Sequence, residues 1–228
     1  MPQKQHFLEE HDPDRKDFQV DRIILFSDAV FAIAITLLII EIKPPEILHG
    51  LTNAQQVNQL LELAPKFVAF IISFFVIAIY WRSHHRIFGF VNAFSSKMIL
   101  INNIYLFTIV LMPFSSAYFS ENYGYMVPFV FYNANIFITG VINYLFITHV
   151  FSPENKLIKH RPTPMFIHLF KSRALAIPLF FLLVMILGYF GLVANPYIYF
   201  LIWPLFMVLR AYNFRKYNKP AKGVAKHR

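Results

Sequence analysis

Long apolar stretches separated by short polar segments recur along the chain from residue 22 onward. A helix that crosses a bilayer needs about 20 mostly apolar residues, and six segments reach or approach that length. They cover about 23–42, 64–81, 98–119, 125–151, 174–194 and 196–212. Pro65 and Pro196 stand where the second and sixth helices would begin, a position that suits proline. The pattern predicts an all-α integral membrane protein with six transmembrane helices.

The composition supports a membrane protein. Hydrophobic residues make up 57% of the chain, and charged residues make up only 14%. Soluble domains carry about 25% charged residues, so this chain has too few charges for a water-exposed surface. It has no cysteine, which excludes disulfides, thiolate metal sites and cysteine nucleophiles. Nucleotide-binding and zinc-protease motifs are also absent from the sequence, which argues against those classes.

The basic residues predict the orientation. Nineteen of the 21 Lys and Arg residues lie in the N-terminal segment, in alternate connections and in the tail, which leaves only Lys43 and Lys66 for the other side. An excess of Lys and Arg marks cytoplasmic segments, so both termini are expected in the cytoplasm and the protein in the plasma membrane. Residues 1–21 would form a polar N-terminus, 22–213 the transmembrane domain and 214–228 a basic tail. We expect this tail to lie near anionic lipid and not to bind nucleic acid.

Asp28 is the one carboxylate well inside a predicted span. An ionised Asp near the centre of a transmembrane helix costs about 2.5–3.5 kcal/mol on insertion scales, so it needs a partner or water. The predicted topology brings other polar side chains to the same end of the bundle: Arg22, Ser27, Trp81, His84 and either Asn102 or Asn103. Hydrogen bonding between packed helices is the simplest interpretation of this cluster. A role of Asp28 in gating or proton sensing is the alternative.

Ile33, Leu37 and Ile40 recur at spacings of four and three on the first helix and therefore share one face, which Thr36 borders. At about 1.5 Å per residue, Ile33 lies roughly 16 Å beyond Arg22, near the middle of a hydrocarbon core about 30 Å thick. Such a stripe usually faces lipid or a protein core. Around a symmetry axis it would instead form an apolar constriction that gates by dewetting.

Enzymatic functions are disfavoured. Membrane hydrolases and transferases need convergent nucleophiles or paired carboxylates, and Glu41 lies at the opposite end of the helix that carries Asp28. Adjacent His84 and His85 point about 100° apart on a helix and cannot easily share one metal ion. We therefore predict no enzyme, no metal site and no cofactor.

The first predicted helix begins with Arg22, followed after three residues by Phe-Ser-Asp at 26–28. This arrangement resembles the first-helix signature of the transmembrane protein 175 family, the endosomal and lysosomal potassium channels and their prokaryotic relatives. Trp81 and His84 at the end of the second helix also look like that family. The resemblance is strongest in helices one and two and suggests a prokaryotic member.

The resemblance implies a homotetrameric, potassium-favouring cation channel with six helices per chain, a pore lined by helix one and no P-loop selectivity filter. Ile33 matches the residue that narrows the pore, and Leu37 and Ile40 match further apolar rings. Thr36 matches a polar layer linked to selectivity, which is expected to be modest because few other polar groups line that face. The structural network that holds the pore helix would comprise Arg22, Phe26, Ser27, Asp28, Trp81 and His84.

Two other functions stay open at the level of sequence. A secondary or proton-coupled transporter could use Asp28 as its coupling site, although no internal repeat is visible to support an inverted-repeat transporter. A non-conducting membrane scaffold is the other. The expected partners are further copies of the chain, potassium and other monovalent cations, and the lipid bilayer.

Overall fold

The computed structural model describes residues 16–46 and 50–192, together with Tyr199 and Leu201. Within these residues the chain folds into α-helices and contains no strand, which confirms the all-α prediction. The helices are α1 Lys16–Ile40, α2 Asn53–Glu62, α3 Ala64–Phe88, α4 Ser96–Glu121, α5 Met126–Val150, α6 Pro164–Ala174 and α7 Ala176–Tyr189. A short 3-10 helix, Pro153–Asn155, follows α5.

Five helical stretches in the described part of the chain are long and apolar enough to cross a bilayer. They are Gln19–Ile40, Ala64–Phe88, Ser96–Glu121, Met126–Val150 and Pro164–Tyr189. The protein is therefore a multi-pass membrane protein, as the sequence predicts. Apart from Tyr199 and Leu201, the predicted sixth helix, about 196–212, lies outside the described residues, as does the tail, 214–228.

The predicted end of the second span at Trp81 is wrong, because α3 continues to Phe88. Arg82 and Arg86 lower the apolar character of this stretch, but both side chains are exposed. His84 and Ile87, on the other face of the same turns, are fully buried. The last part of α3 is thus an amphipathic helix that a count of apolar residues does not reveal.

The fifth predicted span, 174–194, is wrong at its start, because the fifth apolar stretch begins at Pro164 and consists of two helices, α6 and α7, that meet at Leu175. The second of them, α7, ends at Tyr189. α6 was missed because Lys171 and Arg173 interrupt its apolar pattern, whereas its opposite face buries Ile167 and Phe170. Pro178 has no N–H, so the carbonyl of Ala174 lacks the usual helical partner four residues later. This missing bond explains why the two helices separate at Leu175.

The sequence pattern also did not predict α2. A capping box starts this helix: the Thr52 hydroxyl accepts from the backbone N–H of Gln55, and the Thr52 N–H donates to the Gln55 side chain. Such reciprocal bonds satisfy two backbone N–H groups that would otherwise lack a partner at the start of the helix. No residue of α2 is buried, so local capping and not packing defines it in the single chain.

α5 is the central helix of the bundle and packs against α3, α4, α6 and α7, while α1 packs against α3 and α4. The contact between α5 and α7 is close, because a Cβ at Gly140 would lie 2.7 Å from ring atoms of Pro178.

We call the end of the bundle where α3 and α5 finish and α4 and α6 begin the basic end. Its exposed or half-buried cations within the described residues include Arg22, Arg82, Arg86, Lys97, Lys156, Lys159, Arg161, Lys171 and Arg173.

Candidate functional site

α1 has one fully buried face. Ser27, Phe31, Ala34 and Leu38 follow one another at spacings of four, three and four, and each is at most 2% exposed. Phe31, Ala34 and Leu38 belong to a core that also contains residues of α3, α4 and α5. This face therefore fixes the rotation of α1 about its own axis, and so determines which residues point away from the bundle.

The opposite face of α1 carries the sequence-predicted apolar stripe. In the single chain, Ile33 is 58%, Leu37 is 38% and Ile40 is 67% exposed. Phe26, which the resemblance assigns to the network, lies on this same exposed face and is 58% exposed. The structure therefore presents the proposed gate residues together on a surface that the rest of the described chain does not cover.

Thr36 lies on this exposed face beside Leu37. Its hydroxyl donates within the helix, 3.1 Å to the carbonyl of Ala32 and 2.9 Å to that of Ile33. A hydroxyl that donates its proton in this way still keeps lone pairs that can accept or coordinate. Thr36 thus offers an oxygen with acceptor character on an otherwise apolar face.

A buried hydrogen-bonded chain connects α1, α3 and α4. The Ser27 hydroxyl donates to the carbonyl of Ile23 at 2.8 Å, so its oxygen is free to accept from the Asn102 side-chain amide at 3.0 Å. The Asn102 amide oxygen then faces His84 Nε2 at 2.9 Å. Because this oxygen can only accept, the geometry requires the His84 proton on Nε2. All three side chains are at most 1% exposed.

Aromatic rings enclose His84 on several sides. Its ring centroid lies 4.5 Å from Phe88, 5.4 Å from Phe31, and 6.0 Å from Tyr105 and Phe146. These rings come from α1, α3, α4 and α5, so His84 lies where four helices meet. Its Nδ1 is buried and has no hydrogen-bond partner among the described residues.

Asp28 takes part in a second, more exposed contact. Trp81 Nε1 donates to Asp28 Oδ1 at 2.9 Å, and the Trp81 ring stacks on His85 at 5.6 Å between centroids. Trp81 is 40% exposed and Asp28 is half-buried. Arg22 is exposed and makes no hydrogen bond or ion pair with the other described residues. The structure thus brings together four of the six network residues and leaves Arg22 and Phe26 outside these contacts.

Sequence patterns did not indicate a further set of buried polar contacts. Ser73 on α3 bonds to Ser116 on α4 at 2.9 Å and to Tyr132 on α5 at 3.0 Å. The only available signal was the presence of small polar residues within apolar spans, which does not specify their partners. Within the described residues, no three His, Asp or Glu side chains are grouped to hold a metal ion.

Known proteins with similar sequences include channels. The family model described as endosomal/lysosomal potassium channel TMEM175 matches residues 22–113, which contain most of α1, all of α2 and α3, and the larger part of α4. A potassium channel of Chamaesiphon minutus is 40% identical over 104 residues, 45% of this chain and 50% of that protein. A potassium channel of Streptomyces collinus is 36% identical over 102 residues, 44% and 47% of the two chains. The chain thus spans about half the length of these curated relatives.

The fold extends the similarity beyond the matched segment. A crystal structure of a lysosomal potassium-selective channel TMEM175 homologue from Chamaesiphon minutus superposes with a TM-score of 0.66 and 25% identity. The superposition covers 87% of this chain and 98% of that one. Together, the signature on α1, the family-model match over residues 22–113 and the shared fold make this chain similar to the TMEM175 family.

Proposed function

We propose that this protein is a potassium-permeable cation channel, a homotetramer in which α1 from each chain lines a central pore. The main observation behind this proposal is the exposed apolar face of α1, which lies opposite a face that is buried against the rest of the bundle. Relatives that match the same segment are named potassium channels. The proposal places the protein in the plasma membrane with its basic end and both termini toward the cytoplasm, as the Lys and Arg distribution favours.

The named potassium channels that match this segment are what favour a pore over a lipid-facing surface for α1. The buried face, which includes the buried bond between Ser27 and Asn102, determines which residues of α1 would line that pore. One chain presents only one such helix face, so a closed pore requires several copies around an axis. The number four comes from the family resemblance.

The gate would consist of the rings that Ile33, Leu37 and Ile40 form around the axis. These residues recur along α1 at spacings of four and three, so the rings would be about 4.5–6 Å apart along the pore. A narrow apolar passage expels water, and an ion cannot give up its hydration there without a large energetic penalty. Such a passage conducts only when the α1 helices move apart.

Thr36 would supply the polar layer between these rings. A ring of hydroxyl oxygens replaces only part of the hydration shell of an ion, in contrast to a dense cage of backbone carbonyls. Potassium holds its water less tightly than sodium does, so this layer favours potassium, but modestly. The proposal therefore predicts a potassium preference well below that of a carbonyl-lined filter.

The test combines the mass of the purified protein with ion flux. We expect a tetramer by native mass spectrometry and potassium currents in a planar bilayer with discrete unitary steps. Slow, saturable flux without such steps would point to a carrier, and absence of flux would point to a scaffold. Either result would overturn the channel proposal, and a stable monomer that conducts would overturn the pore assignment.

A cysteine scan identifies the pore face directly, because the natural chain has no cysteine. Leu37→Cys should be modified by a charged methanethiosulfonate reagent that changes potassium flux. Ile39→Cys is the matched control, since Ile39 is 46% exposed but lies about 200° away around the helix. Equal effects at the two positions, or an effect only at Ile39, would contradict the assignment of the pore face.

A further inference from the structure

α2 carries its apolar side chains on the face that points away from the rest of the chain. Val57, Leu60 and Leu61 are 55%, 55% and 63% exposed. Gln59 is half-buried, and its Oε1 atom is buried. At about 100° per residue, Gln59 points about 160° away from both Val57 and Leu61. An amphipathic helix that packs only on its own bundle turns its apolar face inward, so the reversed orientation of α2 indicates a partner outside the single chain.

The junction between α2 and α3 fixes this orientation. One residue, Leu63, separates the two helices, and it keeps right-handed helical dihedral angles of φ −78° and ψ −5°. Its carbonyl accepts from the Phe67 N–H at 3.0 Å, which is the usual helical bond between residues four apart. α2 therefore cannot rotate its apolar face toward the bundle without breaking the start of α3.

The exposed apolar face continues from α2 along α3. Phe67 follows Leu60 by seven residues, or two helical turns, and Ile71 follows Phe67 by four. Such spacings keep residues on one side of a helix. Phe67 and Ile71 are each 38% exposed. We call Val57, Leu60, Leu61, Phe67 and Ile71 the α2–α3 stripe.

Lipid is a poor partner for the α2 part of this stripe. Six of the ten residues of α2 are Asn, Gln or Glu, so this helix does not lie within the hydrocarbon layer. Helices that lie on the membrane surface are anchored by Lys, Arg and aromatic side chains, and the sequence of α2 contains none of these. Close to the end of α2, Lys66 pairs with Glu121 on α4 at 3.3 Å, so charged side chains occupy this end of the bundle.

The position of α3 in the bundle indicates which partner covers the stripe. α1 packs against α3 and α4, whereas α7 packs against α5 and α6. In a ring that brings α1 of every chain to a central axis, α3 and α4 flank α1 and meet the neighbouring chains, and α7 lies further from the axis. A cyclic ring joins two different surfaces of each chain. On α4, Phe107 and Phe114 are 63% and 58% exposed, which makes this helix the apolar surface on the other flank.

We propose that the α2–α3 stripe packs against α4 of the neighbouring copy of this chain. This proposal rests on the homotetramer of the proposed function and adds the surface through which its chains meet. The amide side chains of α2 would lie at the rim of the interface, where polar groups are usual.

Photo-cross-linking of the full-length protein in liposomes tests the contact directly. Leu61 and Phe67 would each be replaced by the photoreactive amino acid p-benzoylphenylalanine. Illumination should join two copies of the chain, and peptide mass spectrometry should map the adduct to α4. Leu183 is the matched control, since it is 53% exposed on α7 and should give adducts with lipid but no joined copies.

The same experiment defines the results that would overturn the proposal. They are adducts of Leu61 and Phe67 with lipid alone, no joined copies from either position, or an equal yield of joined copies from Leu183. Joined copies that are linked at a helix other than α4 would overturn the pairing with α4.

Val57→Asn/Leu61→Asn gives a second, independent measurement. Neither side chain is buried in the single chain, so the helical circular dichroism signal should stay unchanged. Replacement of residues that contribute to an interface should weaken association of the tetramer about tenfold or more, as measured by native mass spectrometry on dilution. Asn58→Ser is the matched control at an exposed polar position of the same helix and should leave association unchanged. An unchanged dissociation in the double variant would count against the stripe.

Oligomeric mass, cross-linking and ion current are separate readouts, so the two proposals fail in different ways. A tetramer that conducts potassium but gives no joined copies from Leu61 and Phe67 would overturn the stripe and leave the channel function intact. Joined copies in a protein that carries no current would support the stripe and overturn the channel function.

Discussion

Asn102 is the residue whose replacement tests the buried network most directly. It is 1% exposed and bonds at once to Ser27 on α1 and His84 on α3. Asn102→Leu replaces the amide with an apolar group of similar size, so it removes both hydrogen bonds without leaving a large cavity. The change therefore isolates the polar contribution of the link between the three helices.

The two broken bonds have different costs. The His84 Nε2–H becomes a buried donor without an acceptor, which costs about 1–3 kcal/mol. Ser27 still donates to the carbonyl of Ile23 and loses only its role as an acceptor, which costs less. Hydrogen bonds between transmembrane helices couple by about 0.6 kcal/mol on average and about 1.7 kcal/mol at most. We expect Asn102→Leu to destabilise the fold by about 2 kcal/mol.

The assay is unfolding of the purified protein by titration with sodium dodecyl sulfate, followed by the helical circular dichroism signal. The matched control is Asn103→Leu, which makes the same substitution at an exposed neighbouring position and should change the free energy of unfolding by less than about 0.5 kcal/mol. His84→Phe completes a double-mutant cycle, because the surrounding Phe and Tyr rings suit a further aromatic side chain.

The cycle yields a result that could refute the reasoning. If Asn102 and His84 are partners, removing both leaves no unpaired donor or acceptor between them, so the double variant should lose less stability than the two single variants predict. We expect a coupling energy of about 1 kcal/mol. Strictly additive losses, or equal losses in Asn102→Leu and Asn103→Leu, would show that the bond does not hold α3 and α4 together.

The remaining predictions concern the face of α1 and are measured as potassium flux in liposomes. Ile33→Asn makes the proposed apolar ring wettable at nearly constant volume and should raise resting flux, whereas Ile35→Asn, on the half-buried side about 200° away, should mainly lower expression. No rise in flux for Ile33→Asn, or equal effects at both positions, would contradict the gate. Thr36→Val deletes the hydroxyl at similar size and should move the reversal potential under potassium–sodium gradients toward the non-selective value; an unchanged value in a conducting variant would place selectivity elsewhere.

The hydrophobic pattern alone determined the class of protein and the existence of its long helices. Apolar stretches of about 20 residues can only be accommodated in lipid as helices with internally satisfied backbones. The same pattern placed Ile33, Leu37 and Ile40 on one face of α1, since spacings of three and four residues are a property of the helix itself.

The sequence was less informative where helices are amphipathic or locally capped. α6 and the end of α3 carry exposed cations on one face and buried apolar residues on the other, so mean hydropathy hides them. The first residues of α1 were likewise assigned to a polar N-terminus, although the helix begins at Lys16. A charged residue interrupts an apolar run in the sequence, but the helix continues through it because a long charged side chain can keep its charged end in water.

Only the tertiary structure decided which of the polar residues meet. The sequence does not distinguish Asn102 from Asn103 as a partner of the other helices. In the structure Asn102 is buried between Ser27 and His84, whereas Asn103 is exposed. Adjacent residues on a helix point about 100° apart, so the packing angle between α1, α3 and α4 selects one of them. That angle follows from the fit of buried side chains such as Phe31 and Tyr105, which lie far apart in the chain and make contact only once the helices have assembled.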